Sequence, residues 1–314
     1  MSMNLSQVRV VDPILTDHAR GYSNADYVGE ALFPQVDVPV RGFKRIEFGR
    51  DSFRRRSTRR APGTPIKTME FGHEGKPVSL HQEALGAVVP IEHQEEAQQT
   101  PGIDLQMDAV DLVQEVIALE KECQRSEVAR DPTKYAASNK QALVGSDKWS
   151  DPSSNPKVQV ADAKEVIRSR IGRRPNTLLV TGGLLTGLSV HPLILAHFSQ
   201  TSDAPISIAK LKMYFEVDNF VAGDGIFDNP DGTTSDIWGD DAILAYVAPK
   251  NGASGRGRNV ALPSFGYTYQ LKGRPLVTPT RWVDGIQSWQ SDVFDEFSAE
   301  LVGADAGFLF QGAR

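Results

Sequence analysis

The sequence has little of what most functional sites are built from. Cys123 is its single cysteine, so no disulfide can form within the chain, and we expect a protein made in a reducing compartment. No apolar run approaches the ~20 residues of a membrane-spanning helix, and no basic start followed by an apolar run predicts an export signal. Since 40% of the 314 residues are hydrophobic, we predict a soluble protein with a substantial core.

Motifs of catalysis are also missing. The six histidines lack metal-ligand spacing such as H-E-x-x-H. Residues 182–189 read G-x-x-x-x-G-x-S, but Leu188 stands where a phosphate-binding loop needs lysine. Ser189 resembles the nucleophile of a serine hydrolase, yet His191 replaces the closing glycine and the serine lies too far beyond the preceding strand. The aspartates between 224 and 241 favour turns. We therefore predict no catalytic, cofactor-binding or metal-binding residues, and no enzyme.

Charge, in contrast, is concentrated in one stretch. Residues 41–60 contain nine arginines and lysines but two acids, a net charge of +7 in a chain of −6, which leaves −13 for the rest. A basic arm on an acidic body needs an anionic partner. Two partners are possible, a nucleic acid or the acidic body of another copy of the chain.

The basic stretch also has a pattern. Ile46-Glu47-Phe48-Gly49 precedes the arginines and Met69-Glu70-Phe71-Gly72 follows them. Apolar or β-branched residues alternate on both sides, at Phe43 and Ile46 and at Ile66 and Thr68, which predicts a long hairpin turning at residues 61–65. Without these paired flanks, a solvated charge run would be the simpler interpretation.

The rest of the chain alternates helices and strands. We predict one short helix, Asn24 to Leu32, in the first forty residues, and a long helix from Asp104 to Arg130 whose apolar stripe includes Leu112, Val113, Val116 and Ile117. Residues 134–157 read as a polar loop. A compact unit follows, with a helix to Ile171 closed by Gly172 and a strand at 177–181. The last fifty residues read as strands, with Val293, Phe297 and Leu301 on a half-exposed sheet.

Several short blocks, in order along nearly the whole chain, resemble major capsid proteins of tailed bacteriophages. The blocks are Ala31 to Val36 with Val38-Pro39, Phe48-Gly49 through Pro65, Gly172 to Leu178, Asp236 to Ala242, Ala245 to Pro249 and Ala304 to Leu309. Each block alone is unspecific, but their succession is not. The resemblance implies an α+β chain with the capsid fold of the Hong Kong 97 phage.

That fold implies a division of the chain. Residues 1–40 would be the N-terminal arm, 41–90 the extended β-hairpin loop, and 91–157 part of a peripheral domain with a spine helix at 104–130. Residues 158–263 would be the axial domain, and 264–314 would return as strands to the peripheral domain. The resemblance further implies hexamers and pentamers that form an icosahedral shell around double-stranded DNA, with portal, scaffold or decoration proteins of the same virus as partners.

The resemblance also favours self-association for the basic arm. In such shells the hairpin loop reaches over a neighbouring subunit, so the inter-subunit contacts would be Arg50, Arg54, Arg55, Arg56, Arg59 and Arg60. Arginine suits this role because its planar guanidinium binds carboxylates bidentately. Two alternatives stay open, the shell of an encapsulin-type compartment and a nucleic-acid-binding protein that uses the Arg41–Arg60 hairpin.

Overall fold

The computed structural model describes residues 11–22, 24, 26–46, 75–97, 104–198, 206–249 and 264–314. In these residues the helices are α1 (Pro13–Gly21), α2 (Ile91–Ala97), α3 (Leu105–Arg130), α4 (Pro156–Ile171), α5 (Gly182–Ser189), α6 (Pro192–Phe198) and α7 (Ile208–Phe215). The strands are β1 (Gln35–Val38), β2 (Gly42–Ile46), β3 (Gly75–Ser79), β4 (His81–Pro90), β5 (Lys140–Ala142), β6 (Thr177–Thr181), β7 (Asn219–Gly223), β8 (Ile226–Asp228), β9 (Thr234–Asp236), β10 (Ala242–Ala245), β11 (Gly266–Leu271), β12 (Leu276–Val277), β13 (Arg281–Val283), β14 (Ser288–Leu301) and β15 (Gly307–Gln311).

The long helix α3 forms where the sequence predicts it. Asp104 caps its start, because the carboxylate accepts hydrogen bonds from the backbone N–H groups of Gln106 and Met107 at 3.1 and 3.2 Å. Its 26 residues span about 39 Å. The predicted stripe is wrong in part, since Leu112 and Val116 are 69% and 48% exposed. The buried face is shifted around the helix and includes polar and charged side chains, at Val110, Val113, Gln114, Ile117, Glu122, Arg125, Ser126 and Ala129.

Strand β14 is the centre of the first sheet. The sheet has the order β1-β11-β14-β12, with β4 and β13 also paired to β14, and only the β1–β11 pairing is parallel. The prediction of a half-exposed sheet is wrong here. The apolar Val293 and Phe297 are buried, and the charged Asp295 and Glu296 are buried too, at 1% and 2% exposure. Partners far away in sequence allow these carboxylates to be buried.

The two faces of this sheet carry different elements. On one face, Lys121 of α3 pairs with Asp295 at 2.9 Å and its ammonium lies 4.6 Å from the centre of the Phe297 ring. On the other face, Glu296 and Glu300 bind arginines that lie beside and within β2. Alternate residues of β14 therefore separate the spine helix from the base of the hairpin.

The second sheet has the order β5-β15-β10-β6-β7. Pairings β6–β7 and β5–β15 are parallel, and the two others are antiparallel. All five residues of β6 are buried, and Gly172 closes the preceding helix α4 at φ 68°, as its glycine predicts. The predicted loop at 134–157 is wrong in part, because β5 joins this sheet and Trp149 is fully buried.

Strand β15 belongs to the second sheet, whereas β11 to β14 belong to the first. The predicted terminal strands are thus divided between the two sheets. The five-part division of the chain remains a prediction.

The described residues of the N-terminal region, from position 11 onward, form more regular structure than the sequence indicates. Asp12-Pro13 reads as an interruption, yet Asp12 caps helix α1 and Pro13 occupies its first position, where a missing N–H costs nothing. The helix predicted at Asn24 to Leu32 is wrong, since the described residues of that stretch form no α-helix and have a 3-10 turn at Gly29–Ala31. Phe33 follows it and is fully buried.

Candidate inter-subunit surface

The hairpin predicted for the basic stretch is present at its base. Strands β2 and β3 pair antiparallel from Gly42 opposite Ser79 to Ile46 opposite Gly75. The six predicted contact residues, Arg50, Arg54, Arg55, Arg56, Arg59 and Arg60, lie outside the described residues, as do Ile66 and Thr68 of the predicted return strand. The structure therefore places the root of the hairpin.

Ion pairs hold this root to its own subunit. Arg41 donates to both oxygens of Glu296, from Nε at 2.5 Å and from Nη2 at 3.0 Å, and Arg274 donates to the same carboxylate at 2.6 Å. Arg45 pairs with Glu300. At least these two cations of the basic arm are therefore bound by their own β14.

Glu296 is the most constrained acid of this group. Its side chain is 2% exposed, and the hydrogen bond from Arg41, followed by that from Arg274, lowers the pKa of the carboxyl against the opposing effect of burial. Glu296 is therefore ionised at neutral pH and acts as the anchor of both arginines.

Apolar packing strengthens the root. Phe43 of β2 meets Tyr269 edge-on, with ring centres 4.9 Å apart, and Val78 of β3 is 4% exposed. Tyr267 is fully buried in the same cluster. A two-stranded ribbon is only marginally stable in water by itself. Packing against the first sheet is therefore what fixes the position of the hairpin root.

A groove lies between helix α3 and strand β4, and we call it the α3–β4 groove. Its volume is about 570 Å³, and hairpin β8–β9 lies beside it. The residues that line it are Glu83, Ala84, Leu85, Val116, Ile117, Leu119, Glu120, Cys123, Phe227 and Asp228. Its surface is thus apolar with carboxylates at three places, and it contains Val116, one of the two predicted stripe residues found exposed.

The motifs that resembled enzyme sites have structural partners. Ser189 donates its hydroxyl hydrogen bond to the Thr186 carbonyl at 2.7 Å. His191 is buried, accepts the Leu193 N–H at Nδ1 and lies 3.1 Å from the Asp151 carbonyl through Nε2. Since Nδ1 accepts, Nε2 carries the proton and donates it. These bonds explain the serine and the histidine as local structure at the end of α5 and the start of α6.

Glycines of the same loop explain the resemblance to a phosphate-binding loop. A Cβ on Gly182 would lie 1.8 Å from an Asp224 oxygen, and one on Gly183 would lie 2.6 Å from the Arg314 guanidinium. Side chains of this chain occupy the space that the glycines leave. Among the described residues, no three His, Cys, Asp or Glu side chains are grouped as metal ligands, and no helix is both long and apolar enough to span a membrane.

Curated relatives match the chain along nearly its entire length. A major capsid protein of Burkholderia phage BcepMu is 35% identical over 98% of this chain and 98% of its own. The chain belongs to the family of phage major capsid proteins. A second relative, the major capsid protein of Pseudomonas phage JBD67, is 27% identical over 96% of this chain and 97% of its own. No model of a protein family matches the sequence.

Solved structures confirm the predicted capsid fold of this family member. The chain is 40% identical to a phage-related protein from Bordetella bronchiseptica RB50, with a TM-score of 0.82 and 98% of both chains covered. At 10% identity, the satellite phage P4 procapsid still aligns with a TM-score of 0.51 over 99% of this chain and 92% of its own. An encapsulin from Synechococcus elongatus PCC 7942 shares the fold at 11% identity, TM-score 0.52, over 99% and 92%.

Sequence reasoning found the capsid family and the hairpin but missed the acids that hold it. Glu296 and Glu300 lie at alternate positions of a strand that is otherwise mostly buried, beside Asp295. Charged residues inside an apolar strand are the signal for buried ion pairs. Their arginine partners, Arg41 and Arg45, are about 255 residues away.

Proposed function

We propose that this capsid protein self-assembles as hexamers and pentamers into an icosahedral phage head that encloses double-stranded DNA. The observation that carries the proposal is the match to phage major capsid proteins over 98% of the chain, including both sheets and the spine helix. Shells of this kind need many identical contacts between copies, and the charge division of this chain, +7 in one stretch and −13 elsewhere, favours contacts between opposite charges on neighbouring copies.

The Arg-rich hairpin is proposed as the clasp between subunits. Arg50, Arg54, Arg55, Arg56, Arg59 and Arg60 follow a root that ion pairs and aromatic packing hold to the first sheet. Anchoring the root lowers the entropy that is lost when the remainder binds a partner. Carboxylates of the neighbouring copy would accept the guanidinium hydrogen bonds.

Other components of the virus complete the proposal. Portal, scaffold or decoration proteins would contact the shell, packaged DNA would meet only its inner surface, and no membrane takes part. Assembly would take place in the cytoplasm of the bacterial host. The protein would act as a structural component of the virion and not as an enzyme, which agrees with the structural partners of Ser189 and His191.

Size-exclusion chromatography with light scattering tests the proposal. The wild type is compared with a variant carrying Arg54→Glu, Arg55→Glu and Arg56→Glu, at low and moderate salt. We expect capsomer-sized or larger particles from the wild type without nucleic acid, and their loss in the variant. A wild type that stays monomeric and binds DNA with a steep salt dependence would support the nucleic-acid alternative instead.

The encapsulin alternative has weaker support. The encapsulin likeness is one of fold at 11% identity, whereas the phage relative is 35% identical. Electron microscopy of particles purified from infected cells would separate the two, since a phage head contains DNA and an encapsulin shell contains protein cargo.

A further inference from the structure

The α3–β4 groove has the charge of a receptor for cations. Glu83, Glu120 and Asp228 line it, and none of the three forms an ion pair with a described residue. Elsewhere in the described chain, the buried carboxylates Glu296 and Asp295 are paired with arginine or lysine. The groove thus concentrates unpaired negative charge beside apolar surface, where desolvation strengthens an ion pair that forms later.

Burial and, to a smaller extent, nearby carboxylates act on the thiol of Cys123 inside the groove. Burial, followed by the carboxylates of Glu120, Glu127 and Glu122, raises the pKa of Cys123 to about 11. An anion is thus disfavoured at this position. The carboxylates of Glu83, Glu120 and Asp228 would repel phosphates, so the groove does not suit a nucleic-acid backbone.

The floor of the groove needs an occupant that is partly apolar. Leu85 and Val116 are 42% and 48% exposed. Leu119 of α3 and Phe227 of β8 also line the groove and add to its apolar surface. Exposed apolar surface rimmed by polar groups is typical of protein interaction sites. The occupant therefore combines positive charge with apolar side chains.

One stretch of this chain has that composition. Arg41 and Arg45 are bound by their own subunit, but residues 46–60 still carry six arginines against two acids, a net charge of +4, with Phe48 and Phe53 among the arginines. We propose that the α3–β4 groove receives the Arg-rich hairpin of a second copy of this chain. This inference rests on the proposed function, and it names the surface that the clasp grips.

The position of the hairpin root is why the occupant comes from another copy. The root pairs with Glu296 and Glu300 on one face of the first sheet. The groove lies on the opposite face, with α3, next to strand β4 at the edge of the sheet. A subunit's own hairpin starts on the face that points away from its own groove, whereas the groove of an adjacent copy has no such restriction.

The contact would be heterologous, because a hairpin on one copy meets a groove on the next. Such contacts continue from copy to copy and close into rings when the rotation permits. The groove and the hairpin are different surfaces of one chain, so each subunit offers one of each. A closed ring therefore needs no second type of subunit.

Two charge-reversed variants of the full chain test the proposal. The groove variant carries Glu83→Lys, Glu120→Lys and Asp228→Lys, and the hairpin variant carries Arg54→Glu, Arg55→Glu and Arg56→Glu. In each variant alone, like charges face each other at every contact, so we expect the assembled fraction in light scattering to fall at least about tenfold. Mixed in equal amounts, each hairpin finds a groove of opposite charge on the other variant, and we expect oligomers to return.

The outcome of mixing separates the possibilities. If a hairpin docks into the groove of its own subunit, the mixture should stay dispersed. A chain carrying all six changes should recover assembly whether docking is within a subunit or between subunits. A groove variant that assembles like the wild type, beside a hairpin variant that does not, would overturn the groove as receptor and leave the clasp intact. A wild type that never assembles would instead count against the proposed function itself.

Controls distinguish a loss of docking from misfolding and from a change in net charge. The variant Glu92→Lys, Glu95→Lys and Glu96→Lys changes three exposed carboxylates of α2 by the same total charge, and it should assemble like the wild type. Circular dichroism and thermal unfolding check each variant. Because Glu83 is half-buried, the pair Glu120→Lys and Asp228→Lys serves as a second groove variant on exposed positions. Assembly of the folded pair at the wild-type concentration would also overturn the proposal.

Discussion

Glu122 accepts a hydrogen bond from the indole N–H of Trp238 at 2.9 Å, and this pair joins the spine helix to the turn between β9 and β10. The same carboxylate accepts the backbone N–H groups of Val28 and Gly29 at 3.0 and 2.8 Å. Arg125 lies 3.5 Å from it and donates to Thr268 of the first sheet at 3.0 Å. One buried ion pair therefore joins the N-terminal region, the spine helix, the first sheet and the turn before β10.

Glu122→Gln tests this junction. An amide removes the negative charge, which leaves Arg125 buried without its counter-ion, and its NH₂ group faces N–H donors that need an acceptor. We expect the free energy of unfolding to fall by about 3 kcal/mol, measured by guanidinium unfolding with tryptophan fluorescence.

The matched control for this change is Glu120→Gln, on the exposed side of the same helix. It should change the free energy of unfolding by less than about 0.5 kcal/mol. Equal effects of the two changes would contradict the role given to the Glu122–Trp238 pair.

Glu296 predicts a dependence of stability on acid. Since the folded state lowers the pKa of this carboxyl below its ordinary 4.5, its contribution is present above that value and is lost as the pH falls through the folded one. Glu296→Gln should therefore lower the unfolding temperature at pH 7, with a difference from the wild type that narrows as the pH drops below about 4.5.

Unfolding scans at pH 7, 5, 4 and 3 measure the effect of Glu296. The control is Asp162→Asn, an exposed carboxylate of α4, which should leave the pH profile unchanged. If the unfolding temperatures of Glu296→Gln and the wild type differ by the same amount at all four pH values, ionisation of Glu296 is not the cause.

Gly266 predicts a packing limit between the N-terminal region and β11. A Cβ at this position would lie 2.3 Å from the Phe33 ring and 2.9 Å from the Glu300 carbonyl. Gly266→Ala should cost about 1–3 kcal/mol of unfolding free energy through overpacking. Gly42→Ala, in a strand position with nothing within 4 Å, should be nearly neutral.

A second change identifies which contact limits Gly266. Phe33→Leu removes the ring, so the double variant should be less destabilised than the sum of the two single variants. Strict additivity would show that the carbonyl of Glu300, and not the ring of Phe33, sets the limit.

Local signals predicted much of this fold. Asp104 before an apolar period and Asp131-Pro132 after it mark both ends of α3, and Gly172 marks the end of α4. These signals act within a few residues and do not depend on what the element packs against. The root of the hairpin was predictable for the same reason, because alternation at Phe43 and Ile46 is a local property.

What could not be predicted depends on partners far away in sequence. Val116 looks like a core residue from its spacing, yet it lines an exposed groove, since the face that α3 buries is decided by the sheet it meets. Asp295 reads as a solvent-facing residue, yet Lys121, 174 positions earlier, allows it to be buried. At the root of the hairpin, the sequence therefore revealed the arginines but not the carboxylates of β14 that bind Arg41 and Arg45.

Cys123 gives a chemical probe of the α3–β4 groove. With a pKa of about 11, roughly 0.1% of the thiol is ionised at pH 8, and the thiolate is the form that reacts. Alkylation by iodoacetamide at pH 8 should therefore be about a hundredfold slower in the dispersed folded subunit than in urea, where the pKa is near 9. Glu120→Gln should speed the folded reaction, because it removes the largest charge effect on the pKa of Cys123 after burial, while Asp162→Asn should not. A rate that stops rising above about pH 9 in the folded subunit would contradict this prediction, because a thiol with a pKa of about 11 reacts faster with each pH unit up to that value.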